Sequence, residues 1–463
     1  MLKFKTLGAD VSILTEYIDK SHTPCCDISL GTRFMWRNDF LVTYAIYNDT
    51  LIMKESSPDY TDVFYYPIGK DVLGALEQIE EYCKVNCIPL TFGCLNNKVA
   101  DQLQARYFET ERSFEREWCD YIYTAEQFKT YAGKKLSGQR NHVNKFKKLY
   151  PDYKFKTLTQ EDFPRVKDFL LEFTSRAGEM TWSEEVELKT VFDLVENMYS
   201  INQVGGYLEV DGKMIAFSVG EVVGDTMIVH IEKALTEYQG VYPTIAKEFA
   251  NAFIGDGVKY INREEDCGDI GLRTSKMQYK PIELREKVVL TAKTLFDRIV
   301  PNVTITAGRV DLTEIYQTDK EIYAKLYLDD DLNKWWGYDY KEDLGDFSPT
   351  PEYFYQFQNG LKVKKEEFSF AVRERGKMIG ELVLHNFDHF GGVEMGFRFF
   401  TEYQGKGYAI ESASALKEYV FNSLGAKKLK SRCFKQNIPS RKLIEKLGLK
   451  MVREDMTHYY FES

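Results

Sequence analysis

The pentapeptide TEYQG stands at Thr236–Gly240 and again at Thr401–Gly405, 165 positions apart. What surrounds each copy decides the fold. Before the second copy runs GGVEMGFRFF (Gly391–Phe400), an aromatic-rich strand pattern with turn glycines in front of it. After it, Ile410, Ala413, Leu416, Val420 and Leu424 recur at helical spacing, and Gly425 is a natural stop. A strand pattern (Lys427–Phe434), a helix closing at Gly448 and a last strand follow. The first copy takes the same course: DTMIVHIEKA is a strand, and Ile245, Ala246, Phe249, Ala250 and Phe253 form one helix face. Then come the strand VKYINRE and the short helix DIGLRTSKMQY. The next strand begins 22 residues after Thr236 and 26 after Thr401. Matching order and spacing, beyond the pentapeptide itself, predict a duplicated domain.

The totals bound the rest. At 463 residues the chain is too long for one ordinary core, so two or three domains are expected. Hydrophobic residues at 44% with 29% charged are globular in character. A net charge of −10 argues against a wholly nucleic-acid- or membrane-binding surface but leaves room for local basic patches. No apolar run is long enough to cross a membrane, and the first twenty residues lack a signal core, so a cytoplasmic protein is expected. The eight cysteines include no CxxC pair, which favours reduced thiols and no metal site, Cys83/Cys87 included. His385 and His389 read as surface residues of a strand-exit turn.

The loop after the second strand, Gln404-Gly405-Lys406-Gly407-Tyr408-Ala409, is Q-x-x-G-x-A between strand and helix. It resembles the acyl-CoA pyrophosphate loop of the GCN5-related N-acetyltransferases, as do EMGF upstream and Asn437, Ser440, Leu443, Lys446, Leu447 and Gly448 downstream. Glycines admit close backbone approach, and successive amides at a helix start bind phosphate oxygens. The resemblance covers roughly residues 300–463 and implies an acetyl-CoA-dependent N-acetyltransferase acting on a primary amine, small-molecule or peptide. It implies that Gln404, Gly405, Lys406, Gly407, Tyr408 and Ala409 hold the pyrophosphate, and that Asn437 contacts the pantetheine arm. A strand ending at Phe399 and Phe400 would part from its neighbour to admit the thioester. Glu394 occupies the place of a catalytic carboxylate. Where the family often carries a tyrosine acid this chain has Ile444, so Ser440, water or no acid at all are the alternatives. Trp335, Trp336 and Tyr338, in an acidic and aromatic stretch, would wall an amine pocket. Lys427–Lys450 holds nine Lys/Arg against one Glu, suited to a polyphosphate ligand or simply to a solvated face.

In the first copy, read position by position, Tyr242 replaces the second loop glycine, Thr244 the small residue, and Pro243 removes a donor. This loop is expected to bind pyrophosphate poorly. Residues 1–295 resemble the soluble family related to the catalytic domain of phosphatidylglycerol lysyltransferase, through GKKLSGQRNHVNKFKKLYPDYKF, HIEKALTEYQGVY and INREEDCGDIGLRTSKMQYKP. That resemblance implies paired acetyltransferase-like lobes, at 1–130 and 131–295. Aminoacyl transfer from aminoacyl-tRNA to an amine or headgroup is then the rival activity, and a non-catalytic acceptor-binding module the third reading. Gly133–Lys156, with eight Lys/Arg and one Asp, is the candidate tRNA contact. Glu232, Arg263 and Lys276, with neighbouring charges at strand ends, suit either a polar substrate or a structural ion-pair network. The expected architecture is therefore α/β (α+β): three acetyltransferase-like units, each a mixed central sheet flanked by helices. Oligomeric state is left open.

Overall fold

The computed structural model describes all residues except 1, 8–11, 19–24, 40, 58–59, 177–181, 337–339 and 345–347. The chain divides into two compact units, residues 1–101 with 112–291 and residues 102–111 with 292–463.

The first unit holds two mixed sheets. In one, the strands Lys5–Thr6, Thr43–Tyr47, Thr50–Ser57, Tyr60–Phe64 and Thr91–Leu95 lie side by side, the last two parallel. In the other, Glu283–Arg285, Asp120–Thr124, Tyr260–Asn262, Thr226–Ala234, Lys213–Val223, Val204–Val210 and Lys154–Thr157 follow in that order. The expected boundary at residue 130 does not follow these sheets. Asp120–Thr124, on its N-terminal side, pairs in the second sheet with Tyr260–Asn262. In return Val288–Lys293 leaves the second lobe and pairs Val288 with Leu95 and Thr291 with Thr91 in the first. Each lobe completes its sheet with a strand from the far side of the other.

Between these lobes lies a buried imidazole. His230 has no exposed side-chain surface; Nε2 lies 3.0 Å from Glu221 and Nδ1 2.7 Å from Glu264. Gly31 sits so close that a Cβ there would meet Nε2 at 2.4 Å, and its amide donates to Glu221 (2.6 Å). Burial disfavours the imidazolium, but the hydrogen bonds it donates to two carboxylates outweigh that and raise the pKa from the ordinary 6.5 to about 9.

The second unit holds one sheet in the order Thr304–Ala307, Val310–Glu314, Glu367–Glu374, Lys377–His385, Gly392–Phe399, Lys428–Phe434, His458–Glu462, Lys450–Glu454. All neighbours are antiparallel except Gly392–Phe399 and Lys428–Phe434. The helix Tyr408–Asn422 buries Ala413, Leu416 and Val420 against this sheet, the face its periodicity predicts. Each of the larger side chains contributes about 1.5–3 kcal/mol on burial.

The two TEYQG segments enter their helices differently. The helix Val241–Phe253 starts directly after Gly240, whose φ is +86°; the helix Tyr408–Asn422 starts after Gly407, whose φ is +89°. Both glycines hold the left-handed cap that L-residues with a Cβ adopt only at a cost. Gly240 therefore matches Gly407 rather than Gly405, and the first loop is two residues shorter. The position-by-position reading is corrected accordingly: Tyr242 and Pro243 lie in the first helical turn, and Tyr242 does not replace the second glycine. The first loop is also covered, since a Cβ on Gly240 would lie 2.2 Å from the carbonyl oxygen of His142 in the helix Ser137–Leu149. At Gly405 (φ +71°) a Cβ would meet nothing within 4 Å.

Two outcomes follow. Gly240→Ala lowers the stability of the first unit by about 2 kcal/mol or more through strain and clash together, whereas Gly405→Ala costs about 1 kcal/mol, both read by denaturant unfolding. The His230 pKa is raised in the folded state, so its stabilisation is full below pH 6.5 and is lost as pH climbs through about 9. It amounts to about 3 kcal/mol, and His230→Gln removes that slope from a stability–pH curve.

Candidate functional site

In the second unit the parallel strands Gly392–Phe399 and Lys428–Phe434 stay paired only from Gly392↔Lys428 to Glu394↔Lys430. Beyond Glu394 they part, and Ser431 Oγ donates to Met395 O (2.9 Å) where they separate. The parting opens a cavity of about 830 Å³. Gln404, Gly405, Gly407, Tyr408 and Ala409 line it from the loop, Phe399 from the strand end, and Asn437 and Ser440 from the helix Ile438–Lys446. Phe400 and Lys406 do not line it. Phe400 turns into a neighbouring core with its amide bonded to Ile379 O (3.1 Å), and the Lys406 carbonyl accepts from Arg309 (3.2 Å). Of the residues expected at a cofactor, these two are the ones that stand outside the cavity lining.

The loop end of the cavity is a donor site. The first intrahelical bond of Tyr408–Asn422 is made by Glu411 N to Gly407 O (3.2 Å), so the amides of Tyr408, Ala409 and Ile410 have no acceptor within the helix. Gln404 Nε2 donates to Phe399 O (2.9 Å) and ties the loop to the strand end. Arg309 neutralises Glu411 (2.7 Å), the one acid in the first turn. Of the basic run, Lys428, Lys430, Arg432, Lys435 and Arg441 are each taken by a carboxylate. Lys442 and Lys446 face the cavity. Asn437 accepts from Ser440 N (3.2 Å), which caps the helix and fixes both side chains at the cavity wall. Ile444 is wholly buried in the core, so nothing at its position acts on the cavity.

The opposite wall carries carboxylates and aromatic rings. Glu394 is mostly buried, takes Asn386 Nδ2 (3.0 Å) and pairs with Arg432 Nε (3.2 Å) and His385 Nε2 (3.8 Å). His385, read as a surface residue from its turn-like setting, instead lines the cavity directly opposite Glu394 in the sheet. His389 lies outside the cavity lining. Glu367 was not anticipated and lines it too. Burial, then the nearby Glu381, push its carboxyl up to about 7. Farther along the same face Glu381 is sealed, bound to Arg398 Nε (2.8 Å) and Tyr323 Oη (2.8 Å). Arg398 in turn stacks on Trp336 at 4.4 Å. Trp335 packs beside Phe434 (5.6 Å), so both expected tryptophans reach the cavity. Tyr338 lies outside the described residues.

The first unit arranges its polar residues differently. Glu232 and Arg263 pair at 2.6 Å, Arg263 lies over the Tyr279 ring (4.7 Å), and Lys276 donates to Arg263 O (2.6 Å). The space left beside Glu232 and Arg263 is about 10 Å³, room for one water. These three residues bond to one another, which favours the structural network over the substrate reading. Lys287 is buried among Asp27 (2.6 Å), Asp120 (2.8 Å), Glu265 (3.1 Å) and Cys26 Sγ (3.1 Å). Two sets, Cys25–Asp27–Cys94 and Cys26–Asp120–Glu265, have ligand atoms within 4.8 Å of one another. The Lys287 ammonium is the cation seated on Asp27, Cys26, Asp120 and Glu265. In the basic segment Lys147 pairs with Glu248 and Lys156 with Glu209, and Arg140 donates to Tyr131 O. Among the described residues no helix is long and apolar enough to cross a membrane.

Known proteins agree with this division. Residues 309–450 match the model for the acetyltransferase (GNAT) domain. The chain is 33% identical over 85 residues to the uncharacterized N-acetyltransferase YnaD of Bacillus subtilis (18% of this chain, half of YnaD). It is 24% identical over 147 residues to the uncharacterized N-acetyltransferase p20 of Bacillus licheniformis (31% of this chain, 81% of p20). A crystal structure of a conserved protein of unknown function from Bacteroides thetaiotaomicron superposes with a TM-score of 0.60 at 29% identity, covering 63% of this chain and all of that one. Residues 21–291 match the model for phosphatidylglycerol lysyltransferase, C-terminal. With more than half its length in that match, the chain belongs to the phosphatidylglycerol lysyltransferase C-terminal domain family and carries a GNAT acetyltransferase domain behind it.

Proposed function

We propose that residues 300–463 catalyse acetyl transfer from acetyl-CoA to a primary amine. The observation that carries this reading is the 830 Å³ cavity between parted strands, opening onto the bare amides of a helix start. The donor set fits a pyrophosphate: a left-handed glycine cap, three amides without helical acceptors, open space around Gly405, and Lys442 and Lys446 facing the same cavity. Bound there, acetyl-CoA supplies an acyl group activated as a thioester.

The chain's own residues divide the remaining work. Gln404, Gly405, Gly407 and Ala409 hold the phosphates through their backbone, and Asn437 and Ser440 face the arm from the second helix. Glu394, paired with Arg432, accepts a proton from the acceptor amine and so exposes its lone pair. Ser440 stands on the far wall as the hydroxyl that returns a proton to the departing sulfur. Trp335 and Trp336 exclude water from the acceptor's end. Aminoacyl transfer by residues 1–295 is the second reading, favoured by the family match over 21–291.

Calorimetric titration of the full chain with acetyl-CoA shows one site, lost in Gly407→Glu while thermal unfolding stays cooperative. Two sites would overturn the view that the covered first loop is inert, and no site would overturn the proposal. On the second reading, neutralising Lys145 and Lys148 together weakens salt-sensitive tRNA binding at least tenfold; unchanged binding discards that contact.

A further inference from the structure

The cavity wall facing the loop carries a row of three titratable side chains on three adjacent strands. Glu367 lies opposite His385, and His385 opposite Glu394. Cross-strand partners project to the same face of a sheet, and all three line the cavity. Their charges are not equally matched. Glu394 has Arg432 at 3.2 Å, and Glu381, farther along the same face, has Arg398 at 2.7 Å. Among the described residues no lysine or arginine pairs with Glu367; its hydrogen bond comes from Ser369 Oγ (3.3 Å). Around it stand Glu381 and Glu366, which disfavour its ionisation, and Arg398, which favours it. A mostly buried carboxyl in that setting needs either a proton or a cation from outside.

We propose that Glu367, His385 and Glu394 form one proton-accepting row that receives a cationic primary amine, with Glu367 as its inner terminus. This rests on the acetyltransferase reading and names the acceptor class within it: an amine carrying a second positive charge, such as a diamine. The ammonium to be acetylated meets Glu394 while the second ammonium pairs with Glu367. Two N–H protons leave the reacting nitrogen as its bond to the acyl carbon forms and the carbon–sulfur bond breaks. One returns to the departing sulfur. The other passes from Glu394 through His385 to solvent while Glu367 stays paired with the second ammonium, so each turnover releases one proton. Glu367 must be a carboxylate to pair, and activity therefore rises as pH climbs through about 7.

The test uses the full chain with acetyl-CoA and three probes: 1,4-diaminobutane, butylamine and 4-aminobutanol. Thiol release gives kcat/KM against pH, and calorimetry gives the affinity for acetyl-CoA and for each probe. The expected result is preference for the diamine and a rising limb near pH 7. Glu367→Gln removes that limb and lowers diamine kcat/KM about 100-fold, with acetyl-CoA affinity within twofold of the parent. His385→Gln lowers kcat and leaves the diamine preference intact, the signature of relay rather than binding. Equal use of the three probes, or a Glu367→Gln profile like the parent's, overturns the row. So does acetyl-CoA binding with no amine bound or acetylated. Failure of acetyl-CoA to bind at all overturns the acetyltransferase reading itself, and is told apart by that measurement alone.

Discussion

Two parallel strands that share three residue pairs and then separate are the constraint on which the rest of this molecule depends. The motif occurs in both TEYQG repeats, at Thr226–Ile228 against Tyr260–Asn262 and at Gly392–Glu394 against Lys428–Lys430. Backbone groups beyond the last pair must find other partners or a ligand. In the second unit they border an open cavity, with one side-chain bond from Ser431 where the strands separate. In the first unit the same wedge is filled by the Arg263–Glu232 pair and the rings of Phe128 and Tyr279. One strand geometry yields a site in one copy and a solid core in the other; the filling side chains, the shorter loop and the helix that covers it make the difference.

Buried charge is the means by which both units hold their polar interiors rigid. Arg398 and Glu381 are almost fully buried and bind one another, with Tyr323 on the carboxylate and Asn333 on the guanidinium. Desolvating such a pair takes back much of its Coulombic gain, so its worth lies in fixing a geometry more than in net stability. Here it backs the cavity wall and orients Trp336 through the stacked guanidinium. Lys287 does the same between the lobes of the first unit, where it ties Asp27 to Asp120 and Glu265.

Much of this was legible in the sequence because periodicity and glycine placement are local. The two amphipathic helices and the loop glycines follow from spacing within a dozen residues. What was not legible depends on register. Glu367, His385 and Glu394 come together only through the pairing of three strands, and a histidine beside Asn386 reads as turn until that pairing is known. The two-residue offset between the loops was hidden for a different reason. The pentapeptide aligns its own glycines, whereas the backbone aligns those with positive φ at the helix start. Glu232, Arg263 and Lys276 cluster in sequence as a binding site would, and only burial shows that they satisfy one another.

The exchange of strands between the two lobes of the first unit also has a consequence for how the chain reaches its native state. The first sheet sets Thr291 beside Thr91, a pairing 200 residues apart along the chain. Its partner exchange places Asp120–Thr124 beside Tyr260–Asn262. Contacts of such long range carry a large loop-closure entropy and slow the search for the folded topology. During synthesis the first lobe would wait, its Thr91–Leu95 strand without a neighbour on one edge, until nearly two hundred further residues have emerged. The unit is thus one cooperative folding body despite its two sheets, and an edge exposed for that interval is where a nascent chain would meet a chaperone.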